Sequence, residues 1–248
     1  MQKTFWIPML VVTFAIAAAA QTATPSNTLS AEEKAAGWTL LFDGSSMSQW
    51  RGYQKPDTTG LRWQVKDGCL GLPPADGADT RGSRDLITRD QFGDFELKWQ
   101  YRISPGGNSG VKYFVTETRE AAIGHEFQII DDEKHPDAKL RDNRRTGSFY
   151  DVLAAPAAKP RGPGEWNEGR ILVKGNHVEH WLNGSKILEY TLDSDDLRRA
   201  IADSKFKDMA GFDKHQRGHI LLQDHGDQVC YAGIKIRPLA ASGRPATD

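Results

Sequence analysis

The chain has 248 residues, with 32 basic and 33 acidic side chains, so its net charge is close to zero. Such a chain lacks the concentrated positive charge that nucleic acid or an anionic membrane surface attracts, and we expect neither partner. The length suits one β-sandwich or two small domains with a substantial hydrophobic core.

The first twenty residues are typical of a secretory signal peptide. Lys3 precedes an uncharged apolar run at residues 5–20, and three alanines at 18–20 fit the signal peptidase pattern, which places cleavage before Gln21. A membrane anchor is the alternative, but the run is shorter than the roughly 20 residues of a membrane span. We therefore expect a periplasmic or secreted protein that is not inserted in the membrane after cleavage.

Residues 21–36 are small and polar and predict a linker. From Trp38 onward, short runs rich in β-branched and aromatic residues alternate with Gly, Asp, Asn and Pro. These runs are 39–42, 63–66, 69–72, 85–87, 95–103, 110–115, 126–130, 147–151, 166–174, 177–182, 186–190, 219–223 and 229–237. Because no helices are interleaved, the pattern predicts an all-β fold of two packed antiparallel sheets over residues 37–239.

Turns and one helix complete this interpretation. The hairpin candidates are Asp67-Gly68, Gly175-Asn176 and Asn183-Gly184. Ser194 is a helix cap, and Leu197 and Ile201 share an apolar face after it. Residues 154–164 predict a long loop inside the sandwich, and residues 240–248 a flexible tail.

The first candidate site is the run from His125 to Asp132. On a strand, Phe127 would face the core while Glu126 and Gln128 would face the opposite way. An outward Glu and Gln can bind sugar hydroxyls, hold a metal or simply be solvated. Asp131 follows at the strand end, where loops that contact ligands begin.

The second candidate site is Gln223-Asp224-His225-Gly226, which ends a predicted strand. Gln223 should face outward, and a carboxylate next to an imidazole can tune a general base. Ordinary turn chemistry is the alternative.

The third candidate site is the glycine-rich turn at 106–110, which includes Asn108 and lets backbone approach a ligand. It lacks the Lys-Ser/Thr ending of a phosphate loop, so no nucleotide cofactor is expected. Lys112 follows on the next strand and could face the same side as Glu126. The chain also lacks a Gly-x-Ser-x-Gly elbow and a His-Glu-x-x-His zinc helix.

Eight short strings occur in a fixed order along the chain. They are GWTLLFDG (37–44), NSGVKYF (108–114), EFQIIDD (126–132), GSFYD (147–151), GEWN (164–167), VEHWLNG (178–184), SKF (204–206) and LQDHG (222–226). In this order they resemble the 3-keto-disaccharide hydrolase family, and the resemblance extends from about residue 37 to residue 239. One departure is Tyr231-Ala232-Gly233-Ile234, where the family usually has Phe-Arg-Asn-Ile.

The resemblance implies a concanavalin A-like jelly roll that acts on glycosides already oxidised to a ketone at C3. Such a ketone acidifies the C2 hydrogen, so a base can remove it, the C1 substituent can leave, and water can add back. The candidate catalytic residues are His225, Glu126, Asp224 and His125. The candidate substrate-binding residues are Asn108, Lys112, Gln128, Gln223, Asp131 and Lys205.

Two further expectations concern a metal and a covalent link. Glu126 and Asp224 could hold a divalent cation as a Lewis acid, or Lys112 could stabilise the enolate without a metal. Cys69 and Cys230 are too far apart in sequence for a zinc or redox motif, but they lie in an early and the last strand. In an oxidising compartment they could form a disulfide, and two separate buried thiols are the alternative.

Two other functions stay open. A non-catalytic, lectin-like module on the same fold would bind plain sugars and need no titrating base, since fold alone does not decide function. A conventional glycoside hydrolase would act on unoxidised glycans.

Overall fold

The computed structural model describes residues 26–74, 85–119 and 121–240. Within these ranges two antiparallel sheets pack face to face, which confirms the predicted all-β jelly-roll sandwich. The predicted signal peptide, its cleavage before Gln21, and residues 241–248 of the predicted tail lie outside the described residues. No helix in the described ranges is both long and apolar enough to cross a bilayer.

Thirteen strands are described. They are β1 (Thr39–Leu40), β2 (Trp50–Gly52), β3 (Gln64–Lys66), β4 (Cys69–Leu72), β5 (Leu86–Thr88), β6 (Phe95–Ile103), β7 (Asn108–Val115), β8 (His125–Ile130), β9 (Asn167–Lys174), β10 (His177–Leu182), β11 (Ser185–Thr191), β12 (His219–Leu222) and β13 (Val229–Pro238). The larger sheet has the order β11-β10-β9-β6-β13-β4-β3, with β1 also paired to β13. The smaller sheet has the order β2-β5-β12-β7-β8.

The main core fills the space between the two sheets. Trp99 of β6 packs edge to face on Phe127 of β8, with ring centres 5.1 Å apart. Phe95 and Tyr113 meet in the same way at 6.1 Å. These contacts show which face of the smaller sheet packs on the core. Its opposite face points away from the larger sheet.

The predicted hairpins form where expected. Asp67 and Gly68 both have positive φ angles, 52° and 71°, and link β3 to β4. The same pattern at Asn183 and Gly184 links β10 to β11. Positive φ at both central residues matches the right-handed twist of the strands, so these dipeptides define the turns locally.

The predicted helix is α2 (Asp195–Ala202). The Ser194 hydroxyl accepts a hydrogen bond from the Leu197 backbone, and Leu197 and Ile201 are buried as expected. The loop at 154–164 contains no strand.

The predicted linker differs from the structure. Residues 31–35 form helix α1 (Ala31–Ala35), closed by a capping box between Ser30 and Glu33. Asn27 donates to the Gly68 carbonyl and accepts from the Gly233 backbone, both at 2.8 Å, so this segment is tied to the larger sheet. A Ser-x-x-Glu capping pattern was the local signal for this helix.

The prediction of a strand at 147–151 is wrong. This segment runs along the free edge of β8 and exchanges backbone hydrogen bonds with Gln128 (2.9 and 3.2 Å). It then turns sharply, because Val152 donates back to the Phe149 carbonyl (2.9 Å) and Asp151 has a φ of 62°.

Conversely, β2 was not predicted, since its three residues carry no alternating pattern, although Trp50 is fully buried.

The structure links the first and last parts of the larger sheet covalently. Cys69 of β4 and Cys230 of β13 form the predicted disulfide, with Cα atoms 5.6 Å apart. Ala232, where the family usually has Arg, also lies on β13 and pairs with Gln100 in the larger sheet. This position is therefore in the larger sheet.

Candidate active site

A row of four side chains crosses the outward face of the smaller sheet. Strand register places Glu126 opposite Lys112, Lys112 opposite Leu221, and Leu221 opposite Ile87. Phe127, the neighbour of Glu126, points into the inter-sheet core. Because side chains alternate along a strand, Glu126 points outward, as the sequence predicted.

A missing side chain makes room for the Glu126 carboxylate. Gly110 lies opposite Gln128, and a Cβ atom there would be 2.5 Å from Oε1 of Glu126. With its amide nitrogen turned towards that carboxylate, Gln128 donates to the same Oε1 at 3.1 Å. The carboxylate is thus held over the backbone of β7, in a space that only glycine leaves open.

The environment of Glu126 favours its protonated form. The residue is only 5 % exposed, and the Lys112 Nζ lies 3.7 Å from its Oε2. Burial raises the pKa of Glu126, Lys112 and Lys205 lower it, Asp85 raises it, and the result is a pKa above the ordinary value. A raised pKa brings this carboxyl group closer to the range in which general acid catalysis is efficient.

Lys112 and Lys205 are held differently. Lys112 donates to the Ala122 carbonyl at 3.2 Å as well as facing Glu126. Lys205 follows α2 in a turn, and its backbone N–H donates to Oδ2 of Asp151 at 2.8 Å. Its Nζ lies 4.2 Å from the centre of the Tyr150 ring. The site therefore has two cations. Lys112 lies on its floor, which is the outward face of β7 and β8, and Lys205 lies on its wall, beside Tyr150.

The wall itself is a hydrogen-bonded unit that sequence analysis missed. The Tyr150 hydroxyl donates to Asp137 at 2.8 Å, and Arg144 donates to both Asp137 and Asp151 at 2.7 Å. Desolvation and the hydrogen bond to Asp137 raise the pKa of Tyr150. The sequence predicts a strand at 147–151, but the turn that this segment forms is what brings Tyr150 beside Lys205.

The turn after β12 forms the next part of the site. Gln223 donates its backbone N–H to the Gly110 carbonyl (3.0 Å), so the strand pairing continues to this point. Asp224 donates its backbone N–H to Asp85 (2.9 Å), and its Oδ1 accepts from Gly226 (2.9 Å) and lies 3.6 Å from Arg62.

Three oxygen atoms near this turn lack donors. Oδ2 of Asp224, Oε1 of Gln223 and Oδ1 of Asn108 are buried and accept no hydrogen bond from the described part of the chain. Asn108 begins β7, and Gln223 directly follows β12, the neighbouring strand of the smaller sheet. Buried acceptors without donors are costly, and sugar hydroxyls are the donors that such atoms suit.

His225 lies at the exposed rim. A ring nitrogen of His225 lies within 4.8 Å of a ring nitrogen of His135 and of a carboxylate oxygen of Asp227. The two imidazole rings are 6.0 Å apart. A charge on His225 lowers the pKa of Glu126, so the two groups influence each other electrostatically. His225 is therefore within electrostatic reach of Glu126.

The prediction of His125 as a catalytic base is wrong. Its ring is fully buried in the inter-sheet core and stacks on Phe149, with ring centres 4.3 Å apart. Nε2 is 2.6 Å from the Phe212 carbonyl, Nδ1 is 2.8 Å from the Tyr190 hydroxyl, and burial lowers the pKa of His125 to about 4. The residue before Glu126 on a strand necessarily points to the opposite side.

Asp131 was predicted to bind substrate, but its carboxylate does not face the site. Its Oδ2 accepts from the Gly106 backbone (2.7 Å), and its Oδ1 accepts from Glu133 (3.0 Å) and Lys134 (3.2 Å). Burial would raise the pKa of Asp131, but these three N–H groups hold it below its ordinary value. The carboxylate fixes two turns instead of binding substrate.

The predicted metal ligands do not fit a cation together. One Glu126 oxygen faces the Lys112 ammonium and the other faces an amide nitrogen, so neither is free for a metal. In the described ranges, Glu126 and Asp224 belong to no group of three ligands that could hold an ion.

Comparisons with known proteins agree on one family. Residues 37–237 match the model of the 3-keto-alpha-glucoside-1,2-lyase-like domain. The chain is 33 % identical to a 3-keto-disaccharide hydrolase of Bacteroides thetaiotaomicron over 230 residues, which cover 82 % of this chain and 79 % of that protein.

Two solved structures are also similar to this chain. One from Parabacteroides distasonis, provisionally named a glycosyl hydrolase, is 34 % identical with a TM-score of 0.78, covering 86 % of this chain and 99 % of its own. A second from that organism, also provisionally named a glycosyl hydrolase, is 27 % identical with a TM-score of 0.63, covering 82 % of this chain and 99 % of its own.

Proposed function

Because the chain belongs to the family of 3-keto-alpha-glucoside-1,2-lyase-like domains, we propose that it cleaves 3-keto-glycosides or 3-keto-disaccharides. The observation that carries this proposal is the buried Glu126 carboxyl group, whose pKa is raised, at the floor of a site that also holds two lysines. Removal of the C2 proton, loss of the C1 substituent and addition of water complete the reaction.

Each step has a residue that suits it. His225 at the rim is the base for the C2 proton, because its imidazole is exposed and within electrostatic reach of Glu126. Lys112 is the floor cation that stabilises negative charge on the enolate oxygen. Glu126 donates its proton to the oxygen that leaves C1, and the buried acceptors Asn108 and Gln223 bind sugar hydroxyls.

The two wall carboxylates are not available as the second carboxyl group of an ordinary glycosidase. A conventional glycosidase places two available carboxyl groups on either side of the bond. Here the wall carboxylates Asp137 and Asp151 are both bound to Arg144, and Asp151 also accepts the backbone N–H of Lys205. Glu126 is thus the carboxyl group of the floor that is suited to proton donation.

We also propose a periplasmic or secreted location. The predicted signal peptide supports export, and the disulfide between Cys69 and Cys230 is typical of proteins in oxidising compartments.

Hydrogen exchange at C2 tests the mechanism. In deuterium oxide, elimination and hydration should give 3-keto-glucose with one deuterium at C2, seen by mass after the hydroxyl groups are exchanged back. Product incubated without enzyme controls for spontaneous enolisation. Turnover that leaves C2 unlabelled beyond this control would contradict elimination, and turnover of plain glycosides would favour a conventional hydrolase.

Two further arms of this experiment separate the remaining alternatives. Binding of plain sugars without turnover of 3-keto-glycosides would indicate a lectin-like module. A parallel reaction with a chelator tests the divalent cation, and we expect the rate to be unchanged.

A further inference from the structure

We propose that Lys205 is a catalytic amine that attacks the C3 ketone and forms an imine with the substrate. The inference rests on the proposed function, since only an oxidised sugar offers a ketone. It goes beyond that function because it replaces a passive cation with a covalent intermediate and predicts an adduct on one named side chain.

The position of Lys205 is defined from its backbone outward. Asp151 accepts the Lys205 N–H at 2.8 Å, and the same carboxylate is fixed by Arg144 at 2.7 Å. The Nζ atom lies 4.2 Å from the centre of the Tyr150 ring and 5.0 Å from that of Phe206. Two aromatic faces thus hold the amine on the wall of the site.

No ion pair neutralises this amine in the described ranges. No described carboxylate lies within ion-pair distance of the Lys205 Nζ, whereas Lys112 faces Glu126 at 3.7 Å and donates to the Ala122 carbonyl at 3.2 Å. The two lysines therefore differ, since Lys112 is engaged at the floor and Lys205 is available to a ligand. Solvent also reaches Lys205, so a substrate can approach it.

The pKa of the Lys205 amine is lowered, chiefly by burial. Desolvation has the largest effect and lowers the pKa of Lys205, the carboxylates Glu126 and Asp151 raise it, and the cations Lys112 and Arg144 lower it. A lysine placed next to another cation in a partly apolar setting is a recognised way to obtain a nucleophilic amine. Glu126, whose own pKa is raised, is within electrostatic reach of Lys205.

The covalent route balances without any oxidant. The Lys205 nitrogen bonds to C3, and loss of one water gives an iminium ion that acidifies the C2 hydrogen more strongly than a ketone. The base removes that proton, the resulting enamine expels the C1 oxygen, and Glu126 protonates this leaving group. One water adds across C1 and C2, and a second releases 3-keto-glucose and restores the amine, so the net change is hydrolysis.

Reductive trapping tests the proposal directly. The full-length mature protein is incubated with a 3-keto-glucoside and cyanoborohydride, which reduces iminium ions in preference to ketones, and is then digested with trypsin. A modified Lys205 resists cleavage, so the expected product is the peptide 200–207 carrying one reduced sugar. The matching unoxidised glucoside, which lacks the ketone, should leave no adduct.

Matched variants separate the amine from its charge. Lys205→Arg keeps a cation but cannot form an imine, so we expect it to lose both the adduct and nearly all turnover. Lys112→Arg should still form the adduct at Lys205, because its role as a floor cation does not require a free amine.

Each outcome bears on a different claim. Turnover by the wild-type protein without an adduct, or with Lys205→Arg fully active, would overturn the imine and leave the proposed function standing. An adduct at Lys205 without turnover would support the amine and contradict the proposed function. Neither turnover nor adduct would refute both.

Discussion

Gly110→Ala is the most direct test of the geometry around Glu126. The φ angle of Gly110 is not positive, so alanine fits the backbone and the substitution adds only a Cβ atom. That atom would lie 2.5 Å from Oε1 of Glu126, where ordinary contacts begin at 3.4 Å. The carboxylate must therefore move by about 1 Å, which breaks its contacts with Lys112 and Gln128.

The size of the effect follows from this displacement. A misplacement of about 1 Å costs about 100-fold in rate, or about 2.7 kcal/mol in the activation free energy. Overpacking should lower the free energy of unfolding by only about 1–3 kcal/mol, because the displaced group is the end of a side chain. We therefore expect a folded protein with strongly reduced kcat/KM on a 3-keto-glycoside.

Two controls make the result interpretable. Gly93→Ala adds a Cβ atom that meets His215 at an ordinary 3.5 Å, so it should behave like the wild type. In a Glu126→Gln background, Gly110→Ala should cost little further activity, because both changes act on one carboxylate. Wild-type kcat/KM for Gly110→Ala, or full additivity in the double variant, would refute the assigned role of Glu126.

Three other outcomes are expected. His225→Ala should lose most turnover with little change in denaturation midpoint, because the residue is exposed; an active variant would remove it as the base. Replacing Cys69 and Cys230 by alanine should lower the free energy of unfolding by about 4–5 kcal/mol in urea titrations, and two titratable thiols in the denatured, unreduced wild type would contradict the bond. His125 and His180 have pKa values lowered to about 4 by burial, so they stay neutral when the unfolded chain, with a pKa near 6.5, takes up protons. The free energy of unfolding should therefore fall by about 2 kcal/mol per histidine from pH 7 to pH 5. NMR signals of the His125 and His180 imidazoles that titrate above pH 5 would disprove the lowered pKa.

Local features of the fold were readable from the sequence. Asp67-Gly68 and Asn183-Gly184 define their hairpins because the required positive φ angles depend on the dipeptide itself. Ser194 begins its helix because its own hydroxyl accepts the Leu197 backbone N–H. Alternation along β8 assigned Glu126 to the outward face without any knowledge of the partner strands.

Alternation of side chains along β8 also excludes one candidate catalytic residue. Once Glu126 faces outward, its neighbour His125 must face the core, so the two could not serve in one site. The role of Asp131 was less accessible, because a carboxylate that ends a strand can bind a ligand or satisfy backbone N–H groups. Only the positions of Gly106, Glu133 and Lys134 decide for the second role.

The sequence by itself determined the β-sandwich, its family and the outward Glu126 with Gln128. The tertiary structure alone decided that Lys112 lies beside Glu126, that Gly110 leaves the space for its carboxylate, and that Lys205 and Tyr150 form a wall. The physical reason is that side-chain direction and turn type depend on neighbouring residues, whereas strand register and the docking of turns depend on contacts between segments far apart in the chain.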